Sequence, residues 1–209
     1  CYEDLNKTSG YKEGDKLGGT DPYSASKAAS ELVINSYYKS FFKKKNNCGV
    51  SSVRAGNVIG GGDWSTYRLI PDCIKNLLKN KIIVLRNPNY NRPWQHVLEP
   101  LKGYLILAKK QFENPKKYSG AWNFGSSSKS IVSVKRIAEL IIKFWGKGSI
   151  KTSNNKFHET KVLQINSTKA KNEFLVIYHN FLCKINDTEK FNLDDESLFL
   201  EFKTKLLNG

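Results

Sequence analysis

Two side chains able to share a proton stand four residues apart in Asp21-Pro22-Tyr23-Ser24-Ala25-Ser26-Lys27, the phenol of Tyr23 and the ammonium of Lys27. A free tyrosine ionises near pH 10. Its use as a base at neutral pH needs a shift of about 3 units, roughly 4 kcal/mol of preferential phenolate stabilisation. A cation one helical turn away favours the phenolate. On its own, however, the spacing is more often structural than chemical. A second set of candidates is the arginines. Of 34 basic residues only Arg54, Arg68, Arg86, Arg92 and Arg136 are arginine, and four of these lie between positions 54 and 92. The planar guanidinium fork suits two-point recognition of phosphate. Gly60-Gly61-Gly62 lies inside the same span, but the chain has neither a P-loop Gly-Lys-Ser/Thr nor a G-x-G-x-x-G.

The elements needed to hold these groups can be read from pattern. Pro22 suits a first helical turn, where its fixed φ is already helical and its missing N–H is no loss. From Ala25 onward Ala25, Ala28, Ala29, Leu32, Val33 and Ser36 recur at helical spacing, predicting one packed face on a helix that runs to about Lys44. Tyr23 and Lys27 then project from the same side of a rigid element. Residues 1–20, rich in Gly, Asp, Asn and Lys and without period, read as a strand end and a loop. Residues 49–54 read as a strand entering the glycine-rich loop at 55–64, and a doubly wound sheet presents ligands just beyond such a strand end.

Farther along, residues 68–79 predict an amphipathic helix with Ile70, Ile74, Leu77 and Leu78 inward, followed by a strand over 81–86 and an extended segment over 92–99. Residues 100–111 predict a helix that packs through Leu101, Tyr104, Leu105 and Ala108. A strand over 121–125 and a helix over 132–145 stopped by Gly146 complete the order. Arg54 is equally open to a structural or a ligand role. Trp94 is either core or a ring platform, and His96 reads as a satisfied, partly buried histidine.

Composition narrows the classes. The net charge of +15 comes from lysines spread over the whole chain, which points to a compositional bias rather than a built nucleic-acid groove. No apolar run approaches the roughly 18 residues of a membrane span, and nothing resembles a signal peptide. Cys1, Cys48, Cys73 and Cys183 lack metal-ligand spacing and read as free thiols of a reducing, cytoplasmic compartment. The chain has no methionine and opens with cysteine, so it is expected to be a fragment or a processed product.

Set in YSASKAASELV, the Tyr23–Lys27 pair resembles the active-site helix of the short-chain dehydrogenase/reductase superfamily, extended branch. RAGNVIGGGDW, then RLIPD, then RNPNYNRPWQHVLEPLKGYL resemble the substrate half of the members that act on nucleotide sugars, above all those that dehydrate CDP-glucose. The resemblance implies an α/β fold, the later part of a doubly wound Rossmann-type parallel sheet plus a smaller α/β substrate-binding domain. It implies that Tyr23 is the acid/base of hydride transfer. Lys27 binds the nicotinamide ribose of NAD and keeps the tyrosine basic. Asn57, with the glycine loop, and Arg68 contact the sugar diphosphate, and Arg92 pairs with a phosphate. His158 and Glu159 either line the nucleotide end or sit in an ordinary surface loop.

It further implies a homo-oligomer, with no nucleic-acid or membrane partner. Residues 1–66 are expected to close the nucleotide-binding domain, 67–172 to form mainly the substrate domain, and 173–209 a divergent tail. The family's dinucleotide fingerprint and a Thr-Ser-Asp-Lys segment that handles protons in the elimination would lie upstream of Cys1. The isolated chain is therefore expected to be of low stability and inactive, with the apolar face of the Tyr23 helix poorly covered. A nucleotide-sugar epimerase and a non-catalytic basic binding module are the rival readings.

Overall fold

The computed structural model describes residues 1–5, 7–45, 47–126, 131–153 and 164–174. His158, Glu159, Cys183 and the tail from 175 onward lie outside them. The described residues fall into two units, each with its own parallel strands. One draws on Cys1–Gly60, Arg92–Ile131 and 164–174, the other on Gly61–Asn91 and 132–153.

In the first unit, helix α1 (Pro22–Tyr37) leads to strand β1 (Ser51–Ala55). β1 pairs in parallel with β5 (Gly120–Phe124), with Ser51 opposite Gly120 and Ala55 opposite Phe124. Two parallel strands need a crossover, and the chain between them supplies β2 (Asn57–Ile59), β4 (Asn91–His96) and helix α3 (Leu98–Glu113). β2 pairs in parallel with β4, Asn57 opposite Trp94. The core gathers Leu107, Tyr118, Trp122, Phe124, Ala170 and Phe174, with Tyr104 and Ile106 against its side. Tyr118, Trp122 and Phe174 stack at centroid distances of 5.2–6.2 Å. The second unit packs α2 (Leu69–Leu78) and α5 (Val134–Trp145) on a short parallel pair, β3 (Ile83–Leu85) with β7 (Ile150–Thr152). Ser133 caps α5, and Gly146 ends it in the left-handed region at φ 89°, as its place after the periodic run predicts.

Three expectations need correction. Residues 57–59, read as part of a loop, form a strand, because β4 offers them a parallel ladder that no local pattern announces. The helix expected to run to Lys44 ends as an α-helix at Tyr37 and continues as a π-turn over Tyr38–Phe42.

The apolar face of α1 is poorly covered, as expected for this chain, with Ala28 its one buried residue and Leu32 and Val33 more than half exposed. The inward side of the neighbouring strand is polar, Ser52 and Arg54, so what α1 presents to it is a carboxylate rather than its aliphatic stripe. The inner face of α3 is rotated from the predicted one, though Tyr104 packs against the core as expected. Gly103 and Leu107 are buried, while Leu101 and Leu105 are exposed. An added Cβ at Gly103 would lie 2.3 Å from Phe124 Cδ1, so the helix passes closest to that ring where it has no side chain.

Candidate active site

The start of α1 is fixed by its cap. Asp21, in extended conformation, accepts the Ser24 amide at 3.0 Å and the Ser24 hydroxyl at 2.5 Å, and Pro22 opens the helix behind it. The Ser24 hydroxyl and amide hold the Asp21 carboxyl below its ordinary range. The cap sets Tyr23 in the first turn and Lys27 one turn on, with the Lys27 ammonium 5.7 Å from the centre of the Tyr23 ring. Both side chains are exposed, Tyr23 at 65%. The structure thus brings the predicted pair together on one open face.

Asn57 opens β2, and its Oδ1 is buried with no hydrogen-bond partner among the described residues. A buried amide acceptor left alone costs about 1–3 kcal/mol, which a ligand donor would relieve. The turn after β2 lies against Val97, where an added Cβ on Gly60 would come 2.6 Å from Cγ1, while Gly61 and Gly62 face open space. Arg92 sits on β4, which pairs with β2, and is 9% exposed. Trp94, left open between core and platform, is buried on the same strand. His96 Nδ1 accepts the Leu98 amide at 3.3 Å, in line with a satisfied histidine.

Arg68 belongs to the second unit. It is the exposed N-cap residue of α2, and its side chain does not cap the helix. Arg86, in the same unit, lies with its guanidinium carbon 5.7 Å from the centre of the Tyr67 ring. No cluster of three potential metal ligands occurs among the described residues, and no described helix is long and apolar enough to cross a membrane.

Sequence reasoning missed a buried polar network beside the pair. Arg54 donates from Nε to Glu31 Oε1 and from Nη2 to Oε2, both at 2.8 Å, and Ser52 Oγ donates to Oε2 at 2.6 Å. Arg54 Nη1 also donates to the Tyr2 hydroxyl at 2.7 Å and to the Glu13 carbonyl at 3.1 Å. The Tyr2 ring lies 4.9 Å from the guanidinium carbon, and its hydroxyl donates to Asn123 Oδ1 at 2.7 Å.

Burial would push the Glu31 carboxyl upward, but the hydrogen bonds from Arg54 and Ser52 outweigh it and leave the group below its ordinary value. Burial likewise pushes the Tyr2 phenol up, against the pull of Arg54. Arg54, the residue left open between two roles, is committed inside the protein. The available signal was Glu31 four residues after Lys27, a carboxylate in line with the pair.

Residues 1–125 match the NAD dependent epimerase/dehydratase family. Over 176 residues the chain is 41% identical to the CDP-glucose 4,6-dehydratase of Salmonella typhimurium, covering 81% of this chain and 49% of that protein. It therefore spans about half the length of that relative. Among solved structures it resembles the dTDP-glucose 4,6-dehydratase of Bacillus anthracis, solved with NAD, at a TM-score of 0.68 and 26% identity, over 82% of this chain and 51% of that one. The UDP-glucuronic acid 4-epimerase of Bacillus cereus, at a TM-score of 0.73 and 17% identity over 98% of this chain and 60% of that one, shares the fold.

Proposed function

The chain belongs to the NAD dependent epimerase/dehydratase family, and from that premise we propose that the intact protein dehydrates a nucleotide sugar, CDP-glucose, to its 4-keto-6-deoxy product with NAD as cofactor. The observation that carries this reading is the Tyr23–Lys27 pair on an open helix face, in a chain 41% identical to a CDP-glucose 4,6-dehydratase. On the same reading residues 1–66 close the nucleotide-binding domain and 67–172 build mainly the substrate domain, with elements that return to the nucleotide-binding sheet.

The residues present fit one end of the cofactor. A hydroxyl and an ammonium side by side on an exposed turn are the donor set that a ribose diol beside a cationic ring calls for. When bound, NAD supplies the acceptor for the hydride from the sugar and later its source. Tyr23 removes the proton from the O4 hydroxyl, and Lys27 stabilises the negative charge on the phenolic oxygen. The C4 ketone so formed acidifies the C5 hydrogen, and water leaves across C5 and C6.

Asn57 Oδ1, an acceptor without a donor, suits a sugar hydroxyl, which a diphosphate does not offer. Its amide nitrogen and the guanidinium group of Arg92 suit the diphosphate, whose two negative charges forked donors neutralise, and Arg68 keeps that role by resemblance alone.

Incubation of the intact protein with CDP-glucose and NAD in deuterated water tests the reading by NMR. Expected are a C6 methyl signal in place of the hydroxymethyl and deuterium at C5, because the C5 proton is lost and replaced from solvent. An epimerase would keep the hydroxymethyl group. Absence of turnover with CDP-, dTDP- and UDP-glucose alike would refute the proposal. Tyr23→Phe should abolish turnover and leave CDP-glucose binding within a few-fold by calorimetry. Surviving activity would remove Tyr23 from its role.

A further inference from the structure

Glu31 follows Lys27 as Lys27 follows Tyr23, by four residues, so the three side chains trace one slowly turning stripe on α1. The first two face outward. Glu31 faces inward, its side chain 12% exposed against 8% for Arg54. The fork of Arg54 is held in turn by the Tyr2 hydroxyl and the Glu13 carbonyl, and Tyr2 by Asn123, which is fully buried. Asn123 is anchored to the carbonyls of Tyr11 at 2.9 Å and Asn166 at 3.2 Å. A chain of hydrogen bonds therefore runs from the helix that bears Tyr23, through β1, to β5 and the segment at 166.

A buried ion pair is a poor way to gain stability, since apolar side chains of similar volume usually hold two elements together at least as well. Its distinguishing property is geometric. Two parallel bonds between planar groups fix rotation as well as distance, which an aliphatic contact does not. Ala28 is the only buried residue of α1, and the bonds of Glu31 to Arg54 and Ser52 are the polar ties of the helix to β1. Eight residues separate Glu31 from Tyr23, about 12 Å along the axis, so a tilt of about 5° pivoting at Glu31 carries the phenol about 1 Å. An error of that size can cost about a hundredfold in rate.

We propose that Arg54 and Glu31 are positioning residues, a clamp that sets the height and roll of α1 and so holds Tyr23 and Lys27 in reacting register. The inference rests on the catalytic reading of that pair. The clamp touches neither substrate nor cofactor, and acts through the helix.

The test compares Arg54→Met, Glu31→Leu and the two combined, in the intact protein. Each single change strands a buried group and should lower both the thermal midpoint and kcat. The double change removes both charges and should restore the midpoint to within a few degrees. Its kcat should nevertheless stay at least about tenfold down, with KM for CDP-glucose within about threefold. Recovery of kcat in step with the midpoint would show that the pair only supports the fold.

Amide hydrogen exchange in the same protein gives a second arm that needs no turnover. In the double variant, protection over residues 24–30 should fall while that of β1 and β5 is retained. Unchanged protection there would sink the clamp whatever the enzyme does. If Tyr23→Phe keeps full activity while exchange changes as expected, the catalytic reading fails and the clamp on α1 survives.

Discussion

Gly103→Ala is the sharpest test of how the first unit is packed. A methyl built at Gly103 meets Phe124 Cδ1 at 2.3 Å and Cε1 at 2.4 Å. Carbon atoms pack best at about 3.5–4.0 Å, so the overlap exceeds about 1 Å. The Phe124 ring has little room to retreat, since Tyr104 stands edge-on at 5.2 Å and Phe174 lies parallel at 6.4 Å. Overpacking of this kind costs about 3 kcal/mol at the upper end of its usual range, and alanine returns about 1 kcal/mol of helix propensity, for a net loss of about 2 kcal/mol. Urea unfolding followed by tryptophan fluorescence reads it as a lowered midpoint at unchanged slope. The same substitution in a Phe124→Leu background should be neutral or stabilise by up to about 1 kcal/mol, because the obstructing ring edge is gone. If Gly103→Ala stabilises the unaltered protein, Gly103 does not face Phe124. The packing face would then be the one that apolar spacing suggests, through Leu101 and Leu105.

Burial pushes the Cys73 thiol up to about 12, with the Asp72 charge adding to it. In the folded protein at pH 8, iodoacetamide should modify the partly exposed Cys1 and Cys48 and spare Cys73, as mass spectrometry of digests would show. The same shift makes stability fall as pH climbs from about 9, where the thiol ionises once unfolded, toward about 12, and Cys73→Ser should flatten that limb. Glu31 gives the opposite sign. Its folded value lies below the ordinary 4.5, so the stability it contributes is complete above that pH and is lost as pH falls through the depressed value. Thermal midpoints measured from pH 6 to pH 3 should decline more steeply in the unaltered protein than in Glu31→Gln. Asn57→Leu removes an unpaired buried acceptor and should leave the thermal midpoint equal or higher, while CDP-glucose affinity by calorimetry drops at least about tenfold. A lower midpoint would mean that Asn57 already has a partner in the free protein.

Local spacing and long-range pairing were not equally readable. Tyr23 and Lys27 could be placed on one face because four residues of helix fix their relation, and Asp21 and Pro22 mark where that helix begins. The strands over 51–55, 83–85 and 120–124 were legible for a similar reason, each being a short segment bounded by glycine or by the Asn87-Pro88 turn. The inner face of α3 and the contact of α1 with β1 were not. Apolar periodicity counts side chains, whereas α3 turns Gly103, which has none, toward Phe124 beside Leu107 and Tyr104, and α1 meets β1 through a carboxylate. Residues 1–20 looked like a loop because Tyr2 and Tyr11 are too sparse to show a period. Yet their rings stack at 5.0 Å, and backbone bridges tie them to Leu17 and Ile165.

The arginines show most plainly where pattern stops. Four guanidinium groups within 39 residues are candidates for phosphate recognition, with Arg68 and Arg92 assigned to it by resemblance and Arg54 open to either role. The structure gives them separate fates, Arg54 turned inward to Glu31, Arg92 buried on β4, Arg86 against Tyr67 and Arg68 exposed at a helix start. A guanidinium takes the role of whichever carboxylate, ring or phosphate the fold brings to it. That partner stands 23 residues away in the case of Arg54 and Glu31, beyond the reach of any helical or strand period. On the proposed reading, the chemistry of α1 is written in one heptapeptide, while the means of aiming it is distributed over Tyr2, Glu13, Glu31, Arg54 and Asn123. A homologue that keeps Tyr-x-x-x-Lys but loses that distributed set should bind nucleotide sugar and turn it over slowly.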